Sequence, residues 1–136
     1  MAARSKARKR ALDLLYASEM RRESPTVALD RAIEAGEGPT NDYTSELVRG
    51  VVDHQTRIDD LLSDYAEGWS LERMPAVDRN VLRLGLWELL YADDVPDAVA
   101  VTEAMNLVRD LSTDDSPGFV NGVLGGIARD RADLIT

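Results

Sequence analysis

PAVDRNVLRLGLWELLY, residues 75–91, decides the fold. Pro75 suits the opening of a helix, where its missing N–H would have no partner anyway. Behind it Val81, Leu82, Leu84, Leu86, Trp87, Leu89 and Leu90 fall on nearly every side of a 3.6-residue helix, not along one stripe. A helix that apolar belongs at the buried centre of a bundle. The sequence on either side supplies its cover. Val95-Pro96 breaks the chain, a helical pattern then runs to about Leu111, and another starts at Ser116. On the upstream side, Trp69 to Pro75 is the expected joint between two halves.

The same reading covers the rest of the chain. A helix over about 5–23 carries Ala7, Ala11, Leu12, Leu14 and Leu15 at helical spacing. Ser24-Pro25 opens a second, which ends at Gly36-Glu37-Gly38-Pro39. Thr40 or Asn41 caps a third stretch that runs to about Gly68, with a break near His54 and a core stripe of Leu47, Val48, Val51, Ile58, Leu61 and Leu62. Strand alternation is missing, and only 5% of residues are aromatic. The expected fold class is all-α: one compact helical domain, residues 1–136, of six to seven helices, with an N-terminal half of about 1–68 and a C-terminal half of about 69–136.

The last helix opens DDSPGFVNGVLGG, residues 114–126. Ser116 suits an N-cap and Pro117 the first helical position. Asp114 and Asp115 lie where the helix dipole favours negative charge. Gly118, Gly122 and Gly126 share one face with Gly125 close by, each costing about 1 kcal/mol against Ala. That face predicts a groove along which another helix approaches closely. Phe119, one turn in, fits either a core position or an aromatic plate at the helix end.

Composition excludes several function classes. The 136 residues include no cysteine, so disulfides, thiol chemistry and Cys-based zinc sites are excluded. No apolar run approaches 18 residues, so no membrane span is expected. The N-terminus superficially resembles a signal peptide, but Asp13 and Glu19 interrupt its apolar part, which predicts a soluble cytoplasmic protein. The single histidine, His54, lies on a mostly polar stretch and is expected to be solvated. The acid pairs Asp59-Asp60, Asp93-Asp94 and Asp114-Asp115 lack calcium-loop spacing. Arg79 and Arg83, four apart, suit an anion or, more often, a local salt bridge. No catalytic residues, no metal site and no cofactor are therefore expected.

Charge is unevenly distributed. Arg4, Lys6, Arg8, Lys9 and Arg10 stand within the first ten residues without an acid, and subtracting that +5 from the formal net charge of −9 leaves −14 on the remainder. A basic arm suits a polyanion, an acidic body suits something basic, and a solubilising tail is the alternative. Tyr16, seven residues after Lys9, lies on the same helix face. Cations beside an aromatic able to stack a base is the usual combination for single-stranded RNA, while core packing would use Tyr16 equally well.

Five segments in order, ARKRALDLLY (7–16), YTSELVRGVVDHQTRID (43–59), MPAVDRNVLRLGLWELLY (74–91), DVPDAVAVTEAMNLVRDLS (94–112) and DDSPGFVNGVL (114–124), resemble the NusB transcription antitermination family. The resemblance covers about residues 4–128, and FVNGVL and VDRNVLRLGLWELL are its specific parts. It implies two small helical bundles packed together. It also implies an RNA-binding factor, not an enzyme, that takes the boxA element of ribosomal-RNA transcripts together with a small-subunit ribosomal protein (NusE), joins the RNA polymerase antitermination complex and suppresses premature termination. The family's RNA contacts carry over onto Arg4, Lys6, Arg8, Lys9 and Arg10, then Tyr16, then Asp115 and Phe119. Gly118 stands where many relatives have Lys, which removes one phosphate contact, and Thr102 replaces an Asn as a packing variation. The fold also fronts ribosomal-RNA cytosine methyltransferases, but no cofactor-binding domain follows here, so the free-standing factor is the better match. The runner-up is a helical protein-binding adaptor whose basic residues are incidental; the oligomeric state, a homodimer included, stays open.

Overall fold

The computed structural model describes residues 2–135. They form α1 (Ala2–Arg21), α2 (Pro25–Glu34), α3 (Asp42–Asp53), α4 (Gln55–Tyr65), a 3₁₀ turn (Leu71–Arg73), α5 (Ala76–Tyr91), α6 (Asp97–Leu111), α7 (Ser116–Arg129) and a short α8 (Arg131–Leu134). No strand occurs among the described residues. The all-helical class is as expected. The count is eight because the chain breaks at His54 and adds α8 after α7. Two compact units, residues 1–54 and 55–136, meet at that break, one helix ahead of the Trp69–Pro75 link.

In the first unit α1 packs on α2 and α3. Its core holds Ala11, Leu12, Leu15, Leu29, Leu47, Val48 and Val51. Asn41 caps α3, its Oδ1 accepting from the Tyr43 N–H at 2.9 Å. The same residue donates from Nδ2 to the Ala3 carbonyl (3.2 Å), and Thr44 Oγ1 donates to that of Ala7 (3.1 Å). These bonds fasten the start of α3 to the start of α1. The basic N-terminal run is therefore the first turns of a packed helix. At the other end Arg31 bonds Glu23, holding its carboxyl below the usual range, with Arg31 exposed and Glu23 partly so.

In the second unit α5 is the centre, touched by α4, α6, α7 and α8. Val81, Leu82, Leu86 and Leu89 are fully buried. Gly85 permits the closest approach. A Cβ there would lie 2.6 Å from Leu124 Cδ1 and 3.5 Å from the Ala104 Cβ, so α7 and α6 both close on this point. The glycine face of α7 behaves otherwise. A Cβ at Gly118 or Gly122 would meet nothing within 4 Å, and only Gly126 has a near neighbour in another element, Tyr65, at 3.3 Å. The expected close groove is thus present at Gly126 and absent at Gly118 and Gly122.

Arg79 and Arg83 prove structural. Arg83 pairs bidentately with Asp59 at 2.9 and 3.1 Å. Arg79 Nη1 donates to the carbonyls of Leu71 and Met74 at 2.7 and 3.0 Å, binding the 3₁₀ turn to α5. Arg131 Nε donates to the Leu89 carbonyl (2.7 Å) and Tyr65 Oη to Asp130 (2.6 Å), seating the last turns. The bond to Asp130 raises the Tyr65 hydroxyl above its ordinary value.

Two glycines should respond oppositely to a methyl group. Gly122→Ala should stabilise by about 0.5–1 kcal/mol, because the space is open and helix propensity improves. Gly85→Ala should destabilise by about 1–2 kcal/mol, overpacking against Leu124 outweighing the same gain. Denaturant unfolding measures both, and a stabilised Gly85→Ala would show that Leu124 repacks freely.

Candidate functional site

The five cations in the first three turns of α1 have different fates. A helix places residues 6, 9, 13, 16 and 20 along one stripe. Here Lys6, Lys9, Asp13, Tyr16 and Met20 are all exposed, Tyr16 at 40%. Lys9 Nζ lies 3.5 Å from Asp13, an exposed pair worth little. Arg10 is half-exposed, and with Lys6 it lines a groove of about 810 Å³ bordered across by Glu37, Asn41 and Asp42. Arg4 and Arg8 instead turn to the Tyr43 ring, their guanidinium carbons 4.1 and 5.7 Å from its centroid, within cation–π range. Arg8 is only 5% exposed. The run expected to act as one arm therefore divides into Lys6, Lys9 and Arg10, which face solvent or the groove, and Arg4 and Arg8, which grip α3.

In the second unit Asp115 and Phe119 border one cleft of about 330 Å³, together with Trp69, Met74, Pro75 and Thr113. The Trp69 and Phe119 centroids are 6.1 Å apart with planes tilted by 59°. Phe119 is half-buried, between the core and plate alternatives, and Trp69 is 51% exposed. Trp69 was legible only as part of the link between helices, and the sequence carries no signal for its pairing with a residue fifty positions on. Tyr43 was missed similarly: its burial could be read from the helical stripe, its two arginines could not.

The start of α7 is held by a polar knot. Asp115, not Ser116, is the N-cap, and its side chain makes no capping bond. Ser116 is buried and donates from Oγ to Asp78 Oδ2 at 2.9 Å. Ser112 Oγ donates to Asp78 Oδ1 at 2.6 Å, and the Thr113 N–H donates to Ser116 Oγ at 3.2 Å. The Ser116 hydroxyl is drawn inward because a buried carboxylate binds it more strongly than helix N–H groups do. Asp78, 3% exposed, thereby gains the partners its burial demands.

No group of three or more His, Cys, Asp or Glu that could hold a metal occurs among the described residues. His54 is exposed at the C-cap of α3. No helix among the described residues is long and apolar enough to cross a membrane. The chemistry on offer is cationic, stacking and hydrogen-bonding.

The NusB family model matches residues 5–129. A relative from Nocardioides sp., described as transcription antitermination protein NusB, is 74% identical over 98% of this chain and 99% of its own. Among solved structures, T. maritima NusB matches with a TM-score of 0.85 at 36% identity, covering 95% of this chain and 92% of that one. A complex of the antitermination factors NusB and NusE with double-stranded RNA matches with a TM-score of 0.81 at 30% identity over 95% and 98%.

Two variants of α1 separate its roles. Arg8→Ala should cost about 1–3 kcal/mol, because a buried stem and a ring contact are lost. Lys6→Ala should stay within about 0.5 kcal/mol of the native chain. Equal melting temperatures for the two would show that the Tyr43 contact contributes nothing.

Proposed function

The chain belongs to the NusB family of transcription antitermination factors, and we propose that it binds single-stranded RNA through the exposed stripe of α1 and the cleft at the start of α7. The carrying observation is that Lys6, Lys9 and Tyr16 lie exposed on one face of α1, in a chain matched to the family over residues 5–129. Phosphates meet Lys6, Lys9 and Arg10, with Arg4 contributing from beside Tyr43. Bases meet Tyr16 and Phe119, whose rings reach unpaired bases and not those stacked inside a duplex. Arg8 acts through packing: it holds the N-terminal turns of α1 in place. Asp115, exposed and without a capping bond, is an acceptor for base edges.

The target we propose is the boxA element of ribosomal-RNA transcripts, taken with the small-subunit ribosomal protein NusE in an antitermination complex on RNA polymerase. A neighbour of this chain has been solved with NusE and RNA together, which supports that pairing. Charge supports it too. The −14 carried outside the first ten residues opposes RNA but suits a basic protein. The role is binding, not catalysis, and it places the protein in the cytoplasm with the transcription machinery.

A titration across salt concentration tests the phosphate contacts. Three to four contacts predict a slope of log K against log salt of about −2 to −3, from roughly 0.7 per phosphate on a single strand. Replacing Lys6 and Arg10 by Ala together should flatten it by about 1.4. An unchanged slope would remove the stripe from the RNA site and leave a protein-binding adaptor. Tyr16→Ala and Phe119→Ala should each weaken RNA binding by about 1–3 kcal/mol, as a lost base stack does. A melting temperature falling as for a lost core aromatic would refute stacking at that position.

The partner provides a second test. A joint surface for RNA requires reciprocal coupling, typically about 1–3 kcal/mol. NusE should tighten RNA binding, and RNA should tighten NusE binding by the same factor, while the association rate of the two proteins falls with salt. Calorimetry on both legs of the cycle measures it. Independent binding would leave the acidic surface a role in solubility alone.

A further inference from the structure

Trp69 sits in the link between α4 and the 3₁₀ turn, with half its surface open, at the mouth of the cleft that Phe119 lines. A base sandwiched between two parallel rings needs them about 7 Å apart, twice the carbon contact distance. At 6.1 Å and a 59° tilt, Trp69 and Phe119 pack on each other as a corner instead, and the cleft of about 330 Å³ that both line leaves space for a flat group on a ring face. Met74 and Pro75 add apolar wall. The charged groups on the lining are Asp78 and Asp115, with no cation among them. That excludes a phosphate as the preferred occupant and favours a flat ring whose edge donates hydrogen bonds. Both Asp78 oxygens already accept from Ser112 and Ser116, so Asp115 is the acceptor at hand.

We propose that the corner between Trp69 and Phe119 holds one unpaired RNA base stacked on the indole, and that Asp115 selects a base with an exocyclic amine (cytosine, adenine or guanine) over uracil. This rests on the reading that the start of α7 is an RNA-binding end. It adds Trp69 as the principal plate and a base preference that neither aromatic confers, since every base has a face to stack. A carboxylate accepts from an exocyclic amine, as aspartate does from cytosine N4.

The test uses the full chain, short single-stranded oligocytidine and oligouridine, and the variants Trp69→Ala, Trp69→Phe and Asp115→Asn. Trp69→Ala should weaken oligocytidine binding about ten-fold at an unchanged melting temperature, and Trp69→Phe should recover most of the loss. Bound RNA should quench tryptophan fluorescence in the native chain, and Trp69→Phe should abolish the quenching that comes from this residue. Oligocytidine should bind more tightly than oligouridine, and Asp115→Asn should narrow that gap. If RNA binds with its salt slope intact while Trp69→Ala and the fluorescence are both silent, the corner holds no base, although the RNA-binding reading survives. If Trp69→Ala weakens only binding of the basic protein partner, the corner is a protein contact and the proposal fails. If the native chain binds neither oligomer, with or without that partner, both readings fail together.

Discussion

Burial of the Asp78 carboxylate is the constraint from which the second unit's site follows. An ionised group removed from water must recover its hydrogen bonds inside the protein. It recovers them from Ser112, where α6 ends, and from Ser116, where α7 begins. One side chain in the first turn of α5 thus fixes the turn between two other helices. Because α5 is itself enclosed, the start of α7 inherits the rigidity of the core. Phe119 lies one turn beyond Ser116, so its ring is set by that knot as much as by its own contacts. A binding group mounted on packed helices is held more precisely than one on a free loop.

The first unit solves a different problem, that of placing like charges close together. Arg4 and Arg8 are one turn apart, a spacing at which two cations repel. Both lean on the electron-rich face of Tyr43, which offsets that repulsion and ties α1 to α3. Side-chain bonds from Asn41 and Thr44 to backbone carbonyls of α1 reinforce the same junction. With two cations used for attachment, Lys6, Lys9 and Arg10 are presented from a helix whose first turns are held. A frayed terminus would offer the same charges at a greater entropic cost.

The fold was legible because helix starts and apolar periodicity are local signals. Pro25, Asn41 and Pro96 stand where the structure begins its helices, and the all-round apolar character of 75–91 identified the central one. What failed depends on partners distant in sequence. Ser116 has the right neighbours for an N-cap, but a carboxylate 38 positions away takes its hydroxyl. Spacing put Gly118, Gly122 and Gly126 on one face without saying what lies opposite, and for two of them nothing does. Gly85 carried a usable signal, since a lone glycine inside an apolar helix needs a packing reason. Arg8 did too: it shares a face with Leu12 and Leu15, one and two turns on, which foretells burial. Within the proposed site, Asp115 and Phe119 came from the family motif, whereas Trp69 did not, because a link residue has no periodicity to reveal its neighbour.

An acidic protein proposed to bind RNA must draw its affinity from somewhere other than bulk attraction. With a net charge of −9, the long-range field of this chain repels a polyanion. At physiological salt that field fades over about 8 Å, so a few cations on one helix face still act on phosphates they touch, while distant acids hardly interfere. Contacts so few make phosphate binding weak and easily reversed by salt. Base stacking has no such dependence on charge, and the aromatics at Tyr16, Trp69 and Phe119 are the groups able to provide it. The same acidic surface that penalises RNA favours a basic protein, and a bound basic protein would neutralise part of the penalty. On the proposed reading, weak RNA affinity alone and firm affinity in company would both arise from one charge distribution, with no change of conformation required.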